Sequence, residues 1–111
     1  MNFLDYQHAT GETAVYPRNT PIEALSYVTM GLVGEAGEIA NKVKKILRDN
    51  DGHITLDHKN ELCKEAGDVM WYLSQLATEI GFNLEAVAKR NITKLSDRAA
   101  RGVLQGSGDN R

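Results

Sequence analysis

The sequence predicts an all-α protein: an antiparallel bundle of about four helices with short loops. Three observations predict it. Apolar residues recur at helical spacing in three long stretches, the stretches are punctuated by capping residues and glycines, and no segment alternates convincingly as a strand. Ile54 and Leu56 could at most form a short extended piece.

Residues 2 to about 10 read as a short helix capped by Asn2 and anchored by Phe3, Leu4 and Tyr6. Gly11, Pro17, Asn19 and Thr20 mark a loop. Thr20-Pro21-Ile22-Glu23 is a strong helix start, with Thr20 as N-cap and Pro21 at the first helical position. This second helix runs to about Arg48 with Leu25, Val28, Leu32, Ile39, Val43 and Ile46 as its apolar stripe, and Asn50-Asp51-Gly52 ends it. Asp57 is read as the cap of a third helix reaching about Ile80, with Leu62, Val69, Leu73, Leu76 and Ile80 inward and Gly81 as the stop. Asn83 or Phe82 begins a fourth helix, from Leu84 to about Arg101, with Leu84, Ala88, Leu95 and Ala99 inward. Residues 102–111 read as a flexible glycine-rich tail.

At 111 residues the chain is read as a single domain, in which residues 1–20 form a short helix and loop. A core of this size is modest, and oligomerisation is a common remedy. Hydrophobic residues make up 41% and the net charge is −2, so nothing suggests a nucleic-acid polymer or a membrane as partner. A single cysteine, Cys63, excludes an internal disulfide; it is expected to be buried and inert in a reduced, cytoplasmic setting. The first residues show no basic region followed by an apolar run, so no signal peptide is expected.

Two short acidic repeats stand out: Glu35-Ala36-Gly37-Glu38 and Glu65-Ala66-Gly67-Asp68. Residues three apart are neighbours on a helix surface, so each pair of carboxylates points one way. Two such helices side by side would gather four carboxylates near an apolar core, which is costly unless a cation neutralises them. The spacing continues. Lys42 and Lys45 extend the first stripe, Tyr72 and Gln75 the second, and Asn91, Lys94, Arg98 and Arg101 form a matching basic stripe on the fourth helix, each within about an 80° arc. Oxygen donors without imidazole or thiolate favour Mg²⁺, with Mn²⁺ as substitute. His8, His53 and His58 lie outside the repeats and read as surface or loop residues. The basic residues suit phosphate oxygens. Tyr72 suits either a sugar or base contact or plain packing, and Trp71 suits the core or a subunit interface. Gly34, Gly37 and Gly67 inside helices would let a neighbouring helix approach closely.

Gly34-Glu35-Ala36-Gly37-Glu38, followed by Glu65-Ala66-Gly67-Asp68-Val69-Met70-Trp71-Tyr72-Leu73, resembles the signature of MazG-like all-α nucleoside triphosphate pyrophosphohydrolases, over residues of roughly 21 to 101. The resemblance implies an oligomeric helical bundle, a homodimer or homotetramer. It implies Mg²⁺-dependent cleavage of a nucleoside triphosphate between its α- and β-phosphates, giving a monophosphate and pyrophosphate. It makes Glu35, Glu38, Glu65 and Asp68 the metal ligands and catalytic residues, with one of the glutamates, Glu38 among them, orienting or deprotonating the attacking water. Tyr72, Asn91, Lys94 and Arg98 match substrate-contacting places. The alternatives are a non-catalytic helical module that oligomerises or binds a protein, and an enzyme of the same fold acting on another nucleotide, such as a phosphoribosyl nucleotide or an alarmone.

Overall fold

A computed structural model describes residues 1–111 and contains four helices and no strand: α1 (Phe3–Gly11), α2 (Pro21–Asp49), α3 (Leu56–Glu79) and α4 (Leu84–Ala100). Three of the four N-caps are those the sequence predicts. Asn2, Thr20 and Asn83 each accept a hydrogen bond from the backbone N–H three residues on, which satisfies an otherwise orphaned helix donor. The fourth differs. Thr55, not Asp57, caps α3, and His58 completes a capping box by accepting the Thr55 N–H on Nδ1. Gly81, at φ 81°, takes the left-handed conformation that ends α3.

α2 and α3 form a long antiparallel hairpin, and their contact is the largest in the chain. α1 lies across α3, and α4 touches α1 and α3 without reaching α2. The core is small. Tyr16, Ala24 and Val28 are buried, with Leu25, Trp71, Tyr72 and Leu76 packed against them. A polar layer lies beside it. Gln75 is fully buried, donates to Thr10 Oγ1 (2.7 Å) and accepts from the Tyr16 hydroxyl (3.1 Å), while Thr10 and Ser74 share a hydrogen bond of 2.9 Å. Gln75 therefore leaves the polar stripe in which its spacing had placed it. Buried amides persist only when paired, and every buried side-chain polar atom here is.

Other inward expectations are corrected. Phe3, Leu4, Val43, Leu73, Ile80 and Leu95 are all exposed to a substantial degree, because α4 does not close over α2 and no second layer covers them. Cys63 is exposed rather than buried. A side chain at Gly34, Gly37 or Gly67 would meet nothing within 4 Å, so these glycines do not mediate a close approach within the chain. Gly31 does: a methyl group there would overlap the Tyr72 ring.

Residues beyond α4 fold back on it. Arg98, buried, donates to the Asp109 carbonyl (2.6 Å), and the Arg111 guanidinium donates to the carbonyls of Val103, Leu104 and Gly108 at 2.8 to 3.1 Å. No helix is long and apolar enough to cross a membrane.

Candidate metal and nucleotide site

The antiparallel register of α2 and α3 decides which side chains meet. Gly31 faces Tyr72, and Lys42 faces Glu61 and Glu65. Between these points Glu35 from α2 comes together with Glu65 and Asp68 from α3, one carboxylate oxygen of each lying within 4.8 Å of the others. Burial, and then the charges of Asp68, Glu65 and Glu38, push the Glu35 carboxyl above its ordinary pKa. Three oxygen donors at this separation, with no nitrogen or sulfur among them, fit a hard divalent cation.

Glu38 lies outside the trio. It is exposed one turn farther along α2, close enough for its charge to act on Glu35. Lys42 takes the place beside Glu65 instead, with its ammonium 2.8 Å from Glu65 Oε1 and 3.1 Å from Glu61 Oε2. Hydrogen bonds to Glu65 and then Glu61 hold the Lys42 pKa above its ordinary value. Lys42 and Lys45 line a cavity of about 480 Å³ at the loop end of the hairpin, shared with Asn50, Thr55 and His58.

On the other side of the trio opens a cleft of about 350 Å³. Its walls are Thr13, Trp71 and Tyr72, and Glu35 and Asp68 are its acidic edge. Tyr72 thus lies at the site, as its position in the motif suggests, and it also packs against Gly31. Trp71, expected in the core or at an interface, is half-buried in the cleft wall. Thr13 carried no signal in the sequence, since it belongs to a loop remote from either acidic repeat.

The basic stripe is not gathered with the acidic one. Asn91 and Lys94 are exposed on α4, which does not contact α2. Arg98 is engaged with the tail, and Arg101 pairs with Asp97 at 2.9 Å.

Paired helices that turn carboxylates toward each other, with an aromatic cleft alongside, make this an all-α domain with a candidate cation site. The MazG nucleotide pyrophosphohydrolase domain matches residues 24–103, and the chain belongs to that family. Among its relatives is the Gene 37 protein of Mycobacterium phage L5, 61% identical over 109 residues that cover 96% of each chain. No solved structure matches.

Proposed function

We propose that the protein is a Mg²⁺-dependent nucleoside triphosphate pyrophosphohydrolase that cleaves between the α- and β-phosphates, giving a nucleoside monophosphate and pyrophosphate. The observation that carries this reading is the convergence of Glu35, Glu65 and Asp68 beside a cleft large enough for a small ligand. Glu35, Glu65 and Asp68 would hold the metal, which when bound offsets phosphate charge and lowers the pKa of a coordinated water. Glu38, exposed one turn away, would orient an attacking water by hydrogen bond. Lys45 would offer its ammonium group to the phosphate oxygens leaving as pyrophosphate, and Lys42 would do so by exchanging its Glu61 and Glu65 partners for them. Phosphoryl chemistry of this kind depends on positioning and charge stabilisation more than on covalent help from the protein.

Asn91 and Lys94, exposed on α4, are proposed as substrate contacts reached in an oligomer, a homodimer or homotetramer, since within one chain α4 stands off from α2; Arg98 would join them only on release from the tail. The exposed apolar side chains of α2 and α4, among them Met30, Val33, Ile92 and Leu95, support such an assembly.

The test is a product assay over natural and damaged triphosphates with Mg²⁺ or Mn²⁺. Monophosphate plus pyrophosphate is the expected product pair. Glu35→Gln and Asp68→Asn should each lower the rate by at least about a hundredfold, the scale seen when one electrostatic stabiliser is removed, with helix content retained. Full activity in either variant, or no hydrolysis of any triphosphate by the parent, would overturn the reading.

A further inference from the structure

Trp71 is held in place by a residue outside both acidic motifs. Its indole Nε1–H donates to Thr13 Oγ1 at 2.8 Å. The Thr13 hydroxyl hydrogen is directed at the Thr10 carbonyl, 3.2 Å away, which leaves a lone pair of the oxygen to receive the indole. Two aromatic neighbours complete the clamp. Tyr72 meets Trp71 nearly perpendicularly with centroids 5.0 Å apart, and Tyr16 does so at 6.2 Å. Tyr16 is itself fixed by hydrogen bonds to Gln75 and Glu79, and the Arg18 guanidinium lies over its ring at 4.6 Å. A large apolar ring is thus pinned while it lines a cleft that also carries the Glu35 and Asp68 carboxylates.

We infer that Trp71 is the surface on which the substrate's nucleobase stacks, and that Thr13 is a positioning residue that sets the plane of the indole. The inference rests on the proposed function for the identity of the ligand. It adds that the cleft reads the base by contact with an aromatic face, while the phosphates lie toward Glu35 and Asp68. Stacking on an aromatic side chain typically changes affinity about 5- to 150-fold per base, and every base has a face to offer. Such a wall needs little freedom to rotate. The α1–α2 connection supplies that restraint through one hydroxyl.

Trp71 is the only tryptophan in the chain, so its emission reports on this cleft alone. The full-length protein is titrated in Mg²⁺ with nucleoside monophosphates, which a pyrophosphohydrolase releases and does not consume, and in parallel with ribose 5-phosphate. Monophosphates should change the emission strongly and ribose 5-phosphate should not. An equal response to both, or no response to any monophosphate, overturns the stacking role. Thr13→Val removes the acceptor at nearly constant shape. It should shift the unliganded emission to the red and weaken monophosphate binding roughly fivefold, the scale of one lost hydrogen bond. In hydrolysis the same variant should raise KM far more than it lowers kcat. Thr13→Ser should restore both emission and affinity. Parent-like emission and affinity in Thr13→Val would remove Thr13 from the account. Absence of hydrolysis with every triphosphate would sink the proposed function, yet the titration would still decide whether the cleft binds bases.

Discussion

The absence of a side chain at Gly31 decides where Tyr72 can lie. Gly31→Ala should cost about 1 to 3 kcal/mol, since the half-buried Tyr72 ring must move or the helices must part. Thermal melting would measure the loss, and an unchanged melt would mean the ring has room to spare. Tyr16 gives a pH signature. Burial first, then the Glu79 hydrogen bond, raise its pKa to about 12, with Arg18 opposing. A raised folded pKa means that stability is complete below the unfolded value near 10 and is lost as pH climbs toward about 12. Denaturant unfolding at about pH 9 and about pH 11 should therefore show a decline that is smaller by about 1 kcal/mol in Tyr16→Phe. If parent and variant decline equally, Tyr16 is not the group responsible. Neither residue announced itself in the sequence. Gly31 looks like one more helical glycine, and Tyr16 sits in a loop whose partners, Gln75 and Glu79, are some sixty positions away.

At the scale of elements, the helices and three of their caps were legible because capping and periodicity are local. Thr55 was obscured by the apolar pair Ile54 and Leu56, which reads as extended, and by Asp57, itself a good cap. Thr55→Ala should cost about 1 kcal/mol and fray the start of α3. The two acidic pairs were legible for the same local reason, because a three-residue spacing on a helix fixes direction. Which carboxylates meet was not legible, since that depends on the α2–α3 register, which puts Lys42 rather than Glu38 beside Glu65. The attachment of α4 is also non-local. Gln7 donates to Thr78 Oγ1 and the Phe82 carbonyl and accepts the Leu84 N–H at 2.7 Å, so one amide ties α1 to the end of α3 and the start of α4. Gln7→Ala should loosen α4 specifically, seen as faster hydrogen exchange there than in the α2–α3 hairpin. Uniform exchange in all helices would show that α4 is held by other contacts.

As a whole molecule the chain is open. Its radius of gyration is 17.0 Å, against about 13 Å for a compact domain of this length. An isolated chain of this shape leaves much apolar surface in water, so sedimentation at micromolar concentration should find a dimer or larger, and a monomer at every concentration would end that proposal. Gly37→Ala and Gly67→Ala should each stabilise a free chain by up to about 1 kcal/mol through helix propensity, and a loss instead would place those glycines at a chain–chain contact. Lys42 bears on the entire fold as well. With its ammonium against Glu65, Lys42 is a tethered counter-ion between α2 and α3, and the expectation is that the two helices stay together without an external cation. Chelation should then abolish the proposed hydrolysis and leave the circular dichroism unchanged, in contrast to small domains that unravel when stripped of zinc; loss of helix signal on chelation would show that the fold needs the cation.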